Sequence, residues 1–124
     1  MDCEQIDLEK INTSKDLALI IKKNFVVIIK ISASWCGPCK NKKFLESYHN
    51  LKTTYKQIDK IKFIELDIDN NNDVLNDTKY YNIEIGAVPT FLISKNGSFT
   101  KKYEGSGHID KITEYINDVY KSTE

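Results

Sequence analysis

Hydrophobic positions along the chain fall into short continuous runs separated by helical stripes. From Phe25 to Ala33 the residues Val26, Val27, Ile28, Ile29 and Ile31 are nearly unbroken. Such a run predicts a central strand covered on both faces. Three more strands are predicted over Ile61–Ile68, Val88–Ser94 and Phe99–Glu104. Between the last two, Lys95-Asn96-Gly97-Ser98 reads as a hairpin turn, because Asn-Gly accepts the positive φ angles a tight turn requires. A helix capped by Thr13 or Ser14 is predicted through Asp16, Leu17, Ile20 and Ile21. A longer one, from about Cys36 to Ile58, carries the stripe Phe44, Leu45, Tyr48 and Leu51. After a turn at Asn70 to Asn72, a short helix runs through Val74, Leu75 and Tyr81, and the last runs from Ile109 to Tyr120 with Ile109, Ile112, Ile116 and Val119 inward. Glu4 to Lys10 reads as a short edge segment with Ile6 and Leu8 on one side.

The predicted order is β-α-β-α-β-α-β-β-α. Strands separated by helices pair in parallel through right-handed crossovers, and the terminal hairpin adds an antiparallel part. The expected fold class is therefore α/β, a central mixed sheet of four to five strands with helices on both faces. The 124 residues suit one domain spanning 1–124, with residues 1–3 and 122–124 frayed.

Composition narrows the function. Hydrophobic residues make up 40%, enough for one core, and 18 basic residues balance 18 acidic ones. All the basic residues are lysines, a bias that reads as codon usage in an AT-rich genome. The balance leaves no field to hold nucleic acid or an anionic membrane. The start, Met1-Asp2-Cys3-Glu4, lacks the layout of a signal peptide. The apolar stretch Leu17–Ile31 is interrupted by Lys22, Lys23 and Lys30, too charged to span a bilayer. A cytoplasmic protein is the expectation.

Three cysteines are too few for a disulfide framework. In a reducing compartment a Cys-x-x-Cys pair is catalytic or metal-binding rather than structural. Structural zinc needs four Cys or His ligands; there is no second such pair, and His49 and His108 stand apart as surface residues. Cys3 reads as a bystander in the N-terminal segment. Cys36 and Cys39 instead fit disulfide exchange, which needs an attacking thiolate and a second thiol close by. Cys36 at a helix start would meet unpaired backbone N–H groups that favour an anion. Cys39, one turn on, would be the more buried. Pro38 is tolerated in a first turn because its missing N–H has no helical partner there, and Trp35 offers an apolar rim.

The run Trp35-Cys36-Gly37-Pro38-Cys39-Lys40 resembles the active-site motif of the thioredoxin family without change. Ala87-Val88-Pro89-Thr90-Phe91, Gly105 after the last strand, and Glu65-Leu66-Asp67-Ile68-Asp69 resemble further family segments, in the right order over almost the whole chain. The resemblance implies a thioredoxin fold and a protein-disulfide reductase in cell redox homeostasis. Cys36 would be the nucleophile and Cys39 the resolving thiol. Pro89 would be cis, facing the dithiol. Trp35, Gly37, Pro38, Val88, Pro89 and Gly105 would form the substrate surface, Val88 through its backbone. It further implies no metal or organic cofactor, disulfide-containing protein substrates, a thioredoxin reductase as electron source and a monomer. The rival functions are an oxidase or isomerase, and a binding module with little turnover.

Four departures from the family pattern stand out. Lys30 occupies the place, six residues before Cys36, where the family usually has a buried Asp, and Glu65 replaces a common Lys on the neighbouring strand. Each is the single charge in its apolar run, so a reversed buried pair below Cys39 is expected, with Glu65 able to take the proton of Cys39. Phe44 stands where the family often has a kinking proline, which predicts a straighter helix with a basic shoulder at Asn41-Lys42-Lys43. The loop from Tyr81 to Ala87 is about two residues longer than usual.

Overall fold

A computed structural model describes residues 11, 13–55, 58, 60–76 and 85–123. Helix α1 (Ser14–Lys23) begins at a capping box: Thr13 Oγ1 accepts from Asp16 N–H, and Asp16 returns the bond to Thr13 N–H. Two orphan donors of the first turn are thereby satisfied. Strand β1 (Val26–Ser32) follows, then a 3₁₀ turn (Pro38–Lys40), α2 (Lys42–Tyr55), β2 (Ile61–Asp67), the short α3 (Asn72–Asn76), β3 (Thr90–Lys95), β4 (Ser98–Glu104) and α4 (Ile109–Thr123). The predicted Glu4–Lys10 segment, Cys3 and residues 81–84 of the long loop lie outside the described residues.

Among the described residues the sheet has the order β2-β1-β3-β4, with β1 parallel to β2 and the other pairs antiparallel. β1 lies inside it, and its residues 26–31 are buried on both faces, as its unbroken apolar run requires. Val27, Ile29 and Ile31 pack with Leu17, Ile20 and Ile21 of α1 and with Val74 and Leu75 of α3. Val26 and Ile28 face the opposite side, against Phe44, Tyr48 and Leu51 of α2 and Ile112, Ile116 and Val119 of α4. At the β3–β4 hairpin both Asn96 (φ 54°) and Gly97 (φ 85°) are left-handed, which gives the turn the twist of its flanking strands.

One predicted element is divided. The helix expected from Cys36 to Ile58 is a 3₁₀ turn and a separate α-helix, broken at Asn41. Asn41 has φ −59° and ψ 129°, so its backbone leaves the helical region. Its Oδ1 accepts the N–H of Phe44 at 3.0 Å, capping α2. The break lies at this cap, three residues before Phe44, and α2 runs unbroken through Phe44. Elsewhere described element ends shift by a few residues, such as β3 starting at Thr90 rather than Val88. The part beyond Asn76 of the helix predicted through Val74, Leu75 and Tyr81 lies outside the described residues.

Candidate active site

The end of β1 leads through Ala33 into Cys36, whose N–H donates to the Ala33 carbonyl at 3.1 Å. Cys36 and Cys39 form a disulfide with their Cα atoms 5.3 Å apart. The Cys39 N–H donates to Cys36 Sγ at 3.1 Å. A backbone donor aimed at that sulfur stabilises negative charge there once the bond is reduced. Because α2 starts only at Lys42, this local donor, rather than a long helix beginning at Cys36, is the polar support of the sulfur.

Cys36 is 4% exposed and Cys39 6%, so the expected difference in burial is absent. The two differ in direction. A groove of about 400 Å³ is walled by Trp35 to Pro38, Ile68 and Ile85 to Val88, and Cys36 opens into it while Cys39 does not. Cys36 Sγ lies 3.4 Å from the Val88 carbonyl oxygen. The Val88–Pro89 peptide bond is cis. Thr90 Oγ1 donates to the Ala87 carbonyl, fixing the chain on both sides of that bond. Gly105 (φ 101°) takes a conformation that favours glycine, and its N–H donates to the Pro89 carbonyl at 2.7 Å. Pro89 and Gly105 are not walls of the groove; they hold the segment that is.

Trp35 is 65% exposed, and its Nε1–H donates to Asp69 Oδ2 at 2.8 Å. Ile68, Ile85, Gly86 and Ala87 wall the groove and Asp69 holds Trp35; in the sequence they stand only within family-like segments and the long loop, with no site role of their own. No local signal fixes that role, because three separate loops converge there. His49 is exposed; His108 is partly buried, its Nε2 at 3.0 Å from the Glu104 carbonyl.

The Lys30–Glu65 pair is one-sided. The residues are register partners on β1 and β2, and Lys30 Nζ stands 3.7 Å from Glu65 Oε1. The Lys30 side chain is 8% exposed but that of Glu65 is 47%. The expectation that both heads are buried is corrected: the Glu65 carboxylate is half in water, where Lys52 of α2 shares it. Its other oxygen accepts from Lys52 Nζ at 2.8 Å, a partner on α2 that the sequence did not single out. Partial burial pushes the Glu65 carboxyl up, but the Lys52 hydrogen bond and the Lys30 and Lys52 charges outweigh it and hold it below its usual value. Lys30 Nζ lies 4.5 Å from the Tyr48 ring centre and 5.9 Å from that of Phe44, cation–π distances. Burial, reinforced by the Glu65 charge, holds the Tyr48 phenol well above 10. Among the described residues no group of three or more His, Cys, Asp or Glu is placed to hold a metal ion. No described helix is long and apolar enough to cross a membrane.

A disulfide of this spacing at the end of a central strand, with one sulfur turned to an apolar groove, defines a thiol–disulfide oxidoreductase. Comparison with known proteins agrees. The family model described as Thioredoxin matches residues 8–118. Thioredoxin 1 of Plasmodium falciparum is 39% identical over 90 residues, 72% of this chain and 77% of that protein. Human thioredoxin is 31% identical over 94 residues, 76% and 79% of the two chains. The crystal structure of oxidised mitochondrial thioredoxin 3 from Saccharomyces cerevisiae superposes with a TM-score of 0.70 at 25% identity, covering 87% of this chain and 92% of that one. The chain belongs to the thioredoxin family, and its chemistry is dithiol–disulfide exchange through Cys36 and Cys39.

Proposed function

We propose that the protein is a protein-disulfide reductase in which Cys36 attacks and Cys39 resolves. The observation that carries the assignment is that Cys36 alone of the pair opens into the groove while receiving the Cys39 N–H. In the reduced protein the Cys36 thiolate attacks one sulfur of a substrate disulfide. A Cys36–substrate bond forms, the substrate S–S bond breaks, and its electron pair leaves on the second substrate sulfur, which takes a proton. Cys39 then loses its proton and attacks Cys36 Sγ. The Cys36–Cys39 bond forms and the first substrate sulfur leaves as a thiol after protonation. Two electrons and two protons pass to the substrate.

Trp35, Gly37, Pro38 and Val88 form the docking surface for an extended substrate segment, with Pro89 and Gly105 holding Val88 in place. A thioredoxin reductase restores the dithiol, no metal or organic cofactor takes part, and the protein works as a monomer in the cytoplasm. Lys30 and Glu65 support the sheet beneath α2 in this reading. A carboxylate held ionised by two lysines is a poor acceptor for the Cys39 proton.

The test is reduction of insulin with NADPH and a thioredoxin reductase. Turnover is expected, with none in Cys36→Ser and a trapped mixed disulfide in Cys39→Ser. Absence of turnover, with a Cys36–Cys39 bond that dithiothreitol still reduces, would favour a binding module. Net oxidation of dithiol peptides in preference to reduction would favour an oxidase.

A further inference from the structure

The 3₁₀ turn has different surroundings at its two ends. Pro38 walls the dithiol groove, and Lys40, two residues on, walls a second hollow of about 640 Å³ completed by Lys42, Leu45, Glu46, His49 and Asn50. With a rise of about 2 Å per residue in such a turn, the Pro38 and Lys40 backbones stand about 4 Å apart along its axis. Lys40, Lys42 and Lys43 are all exposed, and among the described residues none of them forms a salt bridge with a carboxylate. Leu45, 41% exposed, adds an apolar surface beside them. Glu46 is the single acidic residue of the hollow.

The fold does not account for these lysines. Helices α1, α3 and α4 each carry an aspartate in the first turn, Asp16, Asp73 and Asp110, the arrangement that the helix dipole favours. Helix α2 has no acidic residue there and opens on Lys42 and Lys43, which the dipole disfavours. The positive charge thus stands next to the dithiol at the expense of the helix that carries it, and in a chain whose net charge is zero.

We infer that the Lys40–Lys42–Lys43 shoulder, with Leu45, is a docking surface for an acidic segment flanking the disulfide of a protein substrate. The inference rests on the reductase reading and adds a substrate preference to it. Complementary charge beside a reacting centre chiefly raises the rate of productive encounter and is screened by salt.

Three synthetic peptides with the same intrachain disulfide and a flank of four Glu, four Gln or four Lys test it. Each is mixed with protein pre-reduced by dithiothreitol and then freed of it, and rates are read by acid quench. At low ionic strength the Glu peptide is expected to react about tenfold faster than the Gln peptide, and the difference to shrink to about twofold or less at 1 M salt. K42E/K43E is expected to abolish or reverse the preference and to leave the Gln peptide rate unchanged. Equal rates for the Glu and Gln peptides, or a preference that survives K42E/K43E, overturns the inference. If no peptide is reduced, the reductase reading falls. Amide shifts on adding the Glu peptide with Ser for Cys then decide docking alone: shifts over residues 40–50 support it, and none there overturns it.

Discussion

A lysine on the central strand, closed off from water, is the residue whose presence most needs explaining. Lys30 keeps its charge compensated by three neighbours: the Glu65 carboxylate across the strand pair and the faces of Tyr48 and Phe44. Removing one partner of such a set costs more than replacing both with apolar groups. Glu65→Gln is therefore expected to lose about 1 kcal/mol at neutral pH, the modest size reflecting a half-exposed carboxylate. Lys30→Met/Glu65→Gln should recover most of it, and urea unfolding measures both. The folded-state value of Glu65 is depressed, so its contribution is present above the ordinary carboxylate value and lost as pH falls through the lower, folded one. Wild type should thus lose its advantage over Glu65→Gln on acidification. The rate at which Cys39 resolves a mixed disulfide should be the same in both; slower resolution with an altered pH profile would make Glu65 a proton acceptor.

At the scale of elements, the break at Asn41 separates the turn that bears the dithiol from the helix behind it. Asn is a preferred cap, and Phe44 three residues later begins the apolar stripe of α2. One-dimensional pattern does not separate a first turn at Cys36, which Pro38 and the cysteines fit, from a start five residues later. The side-chain bond from Phe44 N–H to Asn41 Oδ1 decides it. Asn41→Ala should cost about 1 kcal/mol in thermal or urea unfolding, and Asn41→Asp little or nothing. Exchange of the Phe44 amide hydrogen should speed up in Asn41→Ala by more than the global change accounts for. Equal loss in both variants would show that the backbone, not the cap, sets the break.

For the molecule as a whole, the Cys36–Cys39 bond closes a loop of only four residues. Chain-entropy reasoning for so short a loop gives about 2 kcal/mol of stabilisation, or several degrees in Tm for a chain of this length. The oxidised protein should therefore melt several degrees above the reduced one by calorimetry. The same difference should vanish in Cys39→Ser, which cannot close the loop. If both forms of wild type melt together, the bond is as favourable in the unfolded chain as in the folded one.

Local chemistry was legible in the amino-acid order. The unbroken run of β1, the Asn96-Gly97 turn, the Thr13 cap and the dithiol motif each depend on neighbours within a few residues, and sterics and periodicity act at that range. What needed the tertiary structure were relations between segments far apart in sequence: Trp35 on Asp69, Val88 against Cys36, Gly105 on Pro89, and Lys52 taking the outer oxygen of Glu65. The sign reversal at Lys30 and Glu65 was visible as two lone charges. That only one is buried is decided by how α2 and its Lys52 pack over the strand pair, which no single run encodes. The two cysteines likewise declare themselves as a pair, but which of them meets a substrate is set by the convergence of three loops on one groove.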